Sequence, residues 1–237
     1  MKPLHWISYQ LYYRYFFLRD GGVARAIESL VGGHSVPSRE SWEAQYREGY
    51  WSRLNLGGEH GHYAVILSYA IQLRPDASVL DVGCGEGILW RLLKQFGYGR
   101  YTGIDISETA IRKCKSFAEE KTSFVACDAE DYVPDTTFDL IIFNESLYYF
   151  RDPMNALKRY ARYLAPKGIF VISLFDFIRT RAIRRRVKEV FSLLDETVVS
   201  NSHGTWHCLA LAPCCQGPEV FTTGIGQLTQ SSVSAED

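Results

Sequence analysis

Residues 79–87 read VLDVGCGEG. An apolar run broken by one acid, Asp81, leads into glycines at alternate positions, Gly83, Gly85 and Gly87. Glycine costs backbone entropy on folding and supplies no packing. The spacing therefore predicts a loop whose backbone must come close to something, and a ligand is the natural candidate. Upstream, Ser78 to Val82 reads as a buried strand. Downstream, residues 88–96 read as a helix with Leu89, Leu92, Leu93 and Phe96 facing inward. A strand–glycine loop–helix unit binds ligands at the carboxyl end of its strand. The pattern is G-x-G-x-G, however, and Ile88 stands where a dinucleotide loop has its third glycine, which speaks against a nicotinamide oxidoreductase. No Lys-Ser or Lys-Thr follows, which excludes a phosphate-cradling P-loop. On its own the loop leaves the ligand open.

Outward from this loop the chain alternates. Strands are expected at 78–83, 100–105, 123–127, 138–144 and 168–175, and helices at 86–96, 107–119, 153–164 and 179–194. Such alternation points to an α/β fold, a parallel sheet covered by helices. Two further strands, near 196–202 and 205–212, are joined by Ser202-His203-Gly204, short enough for an antiparallel hairpin. Before the core, helices are expected over 1–31, 41–50 and 61–73, with a loop at 32–40 and a turn at Gly57-Gly58. This divides the chain into an N-terminal helical lid (1–70), a core (71–212) and a loose tail (213–237).

The balance of charge is -1, so no global field draws the chain to nucleic acid or anionic lipid. Hydrophobic residues make up 46% of the chain, ample for a core. The cysteines (84, 114, 127, 208, 214 and 215) form no C-x-x-C pair and no Cys/His cluster of zinc spacing, so no metal is expected. They read as reduced thiols of a cytoplasmic protein. The aromatic N-terminus lacks the apolar core of a signal peptide, and no apolar run is long enough for a membrane span.

Two further acids narrow the ligand. YTGIDIS (101–107) ends its strand near Asp105, about 20 residues beyond the loop, where a carboxylate accepts from ribose hydroxyls. FVACDAED (124–131) places Asp128 after the third strand, where it can accept from an exocyclic amine such as that of adenine.

With FDLIIFNESLYYF (138–150) and YLAPKGIFVISLF (163–175), these segments resemble class I S-adenosylmethionine-dependent methyltransferases in order and spacing, over roughly residues 60–212. The resemblance implies a Rossmann-like, doubly wound sheet of seven strands, the last antiparallel, and S-adenosyl-L-methionine as cofactor. It implies that Gly83, Cys84 and Gly85 pass beneath the methionine part and that Asp81 holds its amino group. Asp105 would bind the ribose, Ile106 would pack on adenine, Asp128 would take the adenine amine with Ala129 beside it, and Asn144 would lie near the sulfonium. In QYREGYW (45–51), Tyr46 and Trp51 resemble an aromatic pair that closes over the methionine end.

A sulfonium methyl is already electrophilic, so the enzyme must mainly align a nucleophile. Candidates for the chemistry are Glu145, Tyr148 and Tyr149 after the fourth strand, and His60 and His62 in GGEHGHY (57–63), since histidine titrates near neutrality. Many relatives carry histidine where Tyr149 stands. His203 and His207 are weaker candidates. Asn144-Glu145-Ser146-Leu147 lacks the Asn-Pro-Pro-aromatic run of adenine enzymes, so nucleic acid is not expected as acceptor. The expected acceptor is a small molecule: a sugar, glycan precursor or secondary metabolite of a biosynthetic route. RTRAIRRRVK (179–188) reads as a solvated helix face or as a site for an acidic or phosphorylated substrate. The alternative function is a fold that binds the cofactor without methylating.

Overall fold

The computed structural model describes residues 37–55 and 60–214. The helix expected over 1–31, Gly57-Gly58, Cys215 and nearly all of the expected tail lie outside the described residues.

Seven strands form one sheet. They are β1 (Ser78–Val82), β2 (Arg100–Asp105), β3 (Thr122–Ala126), β4 (Phe138–Asn144), β5 (Leu164–Phe175), β6 (Phe191–Asn201) and β7 (Gly204–Pro213). The order across the sheet is β3-β2-β1-β4-β5-β7-β6. All pairs from β3 to β5 are parallel, and β7 inserts antiparallel between β5 and β6. The order reverses beside β1, and the carboxyl ends flanking that point form the crevice where open α/β sheets bind ligands.

Among the described residues six α-helices accompany the sheet: α1 (Arg39–Arg47), α2 (His60–Leu73), α3 (Ile88–Leu93), α4 (Glu108–Lys115), α5 (Pro153–Tyr160) and α6 (Ile178–Val190). Their starts follow local chemistry. Ser107 caps α4 by accepting from the Ala110 N–H, and Asp152, followed by Pro153, caps α5 through the N–H groups of Met154 and Asn155.

Strand β4 shows why the sheet is central. Leu140 and Ile142 face one hydrophobic layer with α2, α3 and α4, while Ile141 and Phe143 face a second with α5 and α6. All four are fully buried. Period-two alternation with both faces apolar is what a parallel sheet covered on two sides requires. Each such side chain contributes about 1.5–3 kcal/mol on burial. Helix α2 runs unbroken through residue 70, where the sequence reading divided lid from core, and buries Ile66, Leu67, Tyr69 and Ala70 in the first layer.

Several boundaries differ from those expected. The helix after the glycine loop stops at Leu93, so Phe96 lies past its end and is 62% exposed rather than inward-facing. The helix expected to reach 194 stops at Val190, because Phe191 onward pairs with β7 in a long hairpin, Phe191 opposite Pro213.

Candidate functional site

The carboxyl ends of β1, β2 and β4, the turn after β3 and helix α1 enclose a cavity of about 450 Å³. All the residues expected to hold a cofactor line it: Asp81, Gly83, Cys84, Gly85, Asp105, Ile106, Asp128, Ala129, Asn144, Tyr46 and Trp51.

The glycine loop leaves β1 in left-handed backbone, with φ +81° at Gly83 and +54° at Gly85. A Cβ on Gly83 would stand 2.6 Å from Cβ of Ser146, and one on Gly85 would stand 3.0 Å from the Tyr46 hydroxyl. Backbone hand and close packing therefore both demand glycine at these two positions. The Gly83 and Cys84 N–H groups donate to the Ile104 carbonyl, tying the loop to β2.

Asp81 is 1% exposed. Its Oδ2 accepts from the Tyr101 hydroxyl at 2.5 Å, while Oδ1 has no partner among the described residues. Burial pushes its pKa up to about 7, with the Tyr101 bond opposing and the nearby Asp105 adding to the rise. Asp105 holds the Gly85 N–H on Oδ2 and the Ser107 N–H on Oδ1, both at 2.9 Å. Burial raises it to about 6 against those two bonds. Each oxygen has a second lone pair for a ligand donor. Asp128 accepts the Glu130 N–H at 2.8 Å, which fixes the turn after β3, and the Ala129 carbonyl accepts the Tyr160 hydroxyl at 2.8 Å.

At the tip of β4, Glu145 adopts φ +54°, an unusual backbone for a non-glycine residue. Its carboxylate accepts from the Tyr148 hydroxyl at 3.0 Å, the Ser173 hydroxyl at 2.9 Å and the Phe175 N–H at 3.2 Å. The Ser173 hydroxyl also lies 2.8 Å from Oδ1 of Asn144. Strand β5 thus orients both side chains at the β4 tip. Strained backbone of this kind collects at functional sites.

Aromatic rings close the mouth. Trp42 meets Tyr149 edge-on at 4.8 Å and lies 5.6 Å from Trp51; Tyr46 lies 6.2 Å from Trp51, and Tyr148 lies 4.6 Å from Tyr149. Helix α1 is fixed over the site by two long-range contacts. Glu43 takes the Ser107 hydroxyl at 2.7 Å and both the hydroxyl and N–H of Thr109, and Arg39 donates to the Ile106 carbonyl at 2.9 Å. Trp42, Arg39 and Glu43 were not singled out from the sequence. The signal available was RESWEAQYR, whose i, i+3, i+4 spacing sets Arg39, Trp42, Glu43 and Tyr46 on one helical face.

The histidines separate. His62 lines the cavity and is 1% exposed, while His60 is exposed and stands outside the cavity lining. His203 is exposed in the hairpin turn, and His207 lies 3.3 Å from Glu196, away from the cavity. The basic stretch 179–188 is largely satisfied within the fold. Arg181 makes a two-pronged pair with Asp176 at 2.9 Å, Arg184 and Lys188 reach Glu196, and Arg179 donates to the Phe150 carbonyl. Four cations of the stretch thus have partners within the fold, while Arg185 and Arg186 are exposed. Among the described residues no helix is long and apolar enough to cross a membrane.

Residues 52–216 match the family model described as a methyltransferase domain. Ribosomal protein L11 methyltransferase of Burkholderia mallei is 34% identical over 142 residues, which cover 58% of this chain and 44% of that protein. The chain thus spans less than half the length of that relative. EEF1A lysine methyltransferase 2 of Homo sapiens is 29% identical over 213 residues, covering 74% of this chain and 86% of that protein. N-methyltransferase NodS of Bradyrhizobium japonicum, solved with S-adenosyl-L-homocysteine, superposes with a TM-score of 0.59 at 20% identity, over 68% of this chain and 91% of that one. Both curated relatives are named for protein substrates, which overturns the expectation of a small-molecule acceptor.

The cavity fits a methionyl nucleoside on its own evidence. The unpartnered Oδ1 of Asp81 is a buried acceptor that an ammonium group would satisfy, and each Asp105 oxygen keeps a lone pair beyond the N–H it already accepts.

Proposed function

This chain belongs to the methyltransferase-domain family, an S-adenosylmethionine-dependent enzyme of class I, and from that premise we propose that it methylates an amine on a protein, a lysine side chain in the first instance. The observation that carries the acceptor class is that the mutually packed rings of Trp42, Trp51 and Tyr149 line the same cavity as the fixed carboxylate of Glu145. Rings of this kind attract a cationic head and pack along an apolar stem, and a carboxylate draws an ammonium inward. The names of the two curated relatives support the same class.

In this reading Asp81 holds the cofactor's ammonium, Asp105 the ribose, Asp128 the adenine amine, and Ile106 and Ala129 flank the base. Gly83, Cys84 and Gly85 lie along the methionyl stem, with Tyr46, Trp51 and Asn144 toward the sulfur. When bound, S-adenosylmethionine supplies a methyl group already activated on a sulfonium. Residues 37–55 act as a lid, held down by Glu43 and Arg39.

The chain's own part is alignment and water exclusion. A lysine arrives protonated, with an ordinary pKa near 10.4. The rings and the Glu145 carboxylate favour that charged form, so the lysine binds as a cation and must release one proton to water before it can react. The neutral nitrogen that remains would then present its lone pair to the activated methyl group, in the line set by the residues around it. Glu145, held by three donors, serves as a fixed negative charge beside the cationic nitrogen formed. Tyr148 and Tyr149 shape the approach, and exposed His60 takes no part.

The test is direct. The enzyme is incubated with S-adenosylmethionine and purified ribosomal protein L11 or EEF1A, and tryptic peptides are read by mass. A methyl increment on lysine supports the reading. Cofactor binding without methylation of either protein, or of any protein in a cell extract, refutes it.

A further inference from the structure

His62 is a buried polar group of the cavity lining with no role assigned above. Its ring is stacked on Trp206 at 5.1 Å and 20° and lies 4.6 Å from Tyr63. Neither Nδ1 nor Nε2 has a hydrogen-bond partner among the described residues. A buried polar atom left unsatisfied costs about 1–3 kcal/mol. Phenylalanine at this position would stack on Trp206 equally well without that cost. The imidazole therefore stays unsatisfied unless a ligand reaches it, and His62 is among the residues that line the cavity.

Its place in the fold says which end of the cavity it serves. Trp206, under the ring, pairs with Phe175 across β5 and β7 and meets its ring at 5.3 Å. The Phe175 N–H is one of the donors that fix Glu145. His62 thus belongs to the β5–β7 side, whereas Asp105 and Asp128 belong to β2 and β3. From β3 to β7 is five strand intervals, roughly 24 Å at about 4.8 Å each. The carboxylates suited to a nucleoside lie toward one end of that span, and His62 lies toward the other, on the side where β5 holds Glu145.

We propose that His62 is an acceptor-binding residue: the unprotonated nitrogen of its neutral imidazole accepts a hydrogen bond from the incoming amine N–H and turns the nitrogen lone pair toward the methyl group. This rests on the amine reading above and adds a named contact to it. Burial holds the ring's pKa down at about 3, with His60 contributing, so the ring stays neutral at working pH and keeps an acceptor nitrogen. A ring so hard to protonate orients the amine and does not take its proton. Glu145 and His62 then divide the task, one by charge and the other by direction.

The proposal separates from a packing role by opposite signs. With His62→Phe, the melting temperature should rise, since two unpaired buried atoms are removed. Methyl transfer to the protein acceptor should fall tenfold or more, and S-adenosylhomocysteine affinity should stay unchanged. His62→Gln restores an acceptor atom and should recover part of the lost turnover. A His62→Phe enzyme as active as the wild type overturns the proposal. A second readout needs neither turnover nor a particular folded variant. In wild-type enzyme carrying ¹⁵N-histidine and saturated with S-adenosylhomocysteine, added n-butylamine should move the His62 ring nitrogens. No movement overturns the proposal even if lysine methylation is found. Movement in an enzyme that methylates no protein upholds the amine subsite while the protein reading fails.

Discussion

Replacing Asp81 by asparagine keeps the shape of the side chain and removes its charge. In the folded protein the carboxylate is 1% exposed, with one partnered oxygen and one bare oxygen. Its pKa rises from 3.8 to about 7. A raised folded pKa means that the group's contribution to stability is complete below 3.8 and is lost as pH climbs through 7. Between pH 5 and pH 8 the wild type should therefore lose about 3 kcal/mol at this one group, at 1.36 kcal/mol per pH unit over which the unfolded state alone has ionised. Asparagine does not titrate and can still accept from Tyr101. The ligand-free variant should thus gain stability over the wild type as pH rises, by about 3 kcal/mol across that range. For a chain of this size that is a difference in Tm of about 6–12 °C. Asp105, raised to about 6, repels the Asp81 carboxylate, so removing that charge also eases the ionisation of Asp105 and adds to the variant's gain in the same direction. The assay is thermal melting of both ligand-free proteins at pH 5 and pH 8, with calorimetric titration of S-adenosylhomocysteine at pH 8. The variant should melt higher at pH 8 yet bind at least tenfold more weakly, because a neutral amide replaces the partner of an ammonium. A gap in Tm that does not change with pH, or unchanged affinity, would refute the reasoning.

Gly83→Ala forces a Cβ to within 2.6 Å of Ser146 at φ +81°, and should destabilise the fold by about 2–4 kcal/mol in urea unfolding. Glu145→Gln keeps the hydrogen-bond acceptor toward Tyr148 but removes the charge; turnover should fall tenfold or more while S-adenosylhomocysteine binds as in the wild type, as read by steady-state assay and calorimetry. Glu43→Ala frees α1 from Ser107 and Thr109, so limited proteolysis within residues 37–55 should quicken, and bound cofactor should slow it less than in the wild type.

The parts legible in the sequence were those fixed by near neighbours. Strands β1, β2 and β4 were placed within a residue, because each is a short run apolar on both faces and bounded by turn chemistry. The glycine loop and the acids Asp105 and Asp128 carry fixed spacings that survive in one dimension. Long-range partners were not legible. Glu43 meets Ser107 across 64 positions, and nothing near either residue announces the other. The cations of 179–188 looked free because Glu196 lies on β6, beyond the end of their helix. His60 and His62 looked equivalent, yet two positions turn a helix by about 200°, so one ring faces solvent and the other faces the cavity. The acceptor was misread for a related reason. The proposed cofactor end is built from contiguous motifs, whereas the proposed acceptor end draws Trp42, His62, Glu145 and Trp206 from separate segments.

The central claim is that the methyl group goes to a protein amine. The most direct measurement supplies the enzyme with methyl-labelled S-adenosylmethionine and a cell extract, then separates the label by size and by sensitivity to protease and nuclease. The account predicts label in protease-sensitive, nuclease-resistant material that yields methyl-lysine on acid hydrolysis. Label confined to small molecules or to nucleic acid would contradict it.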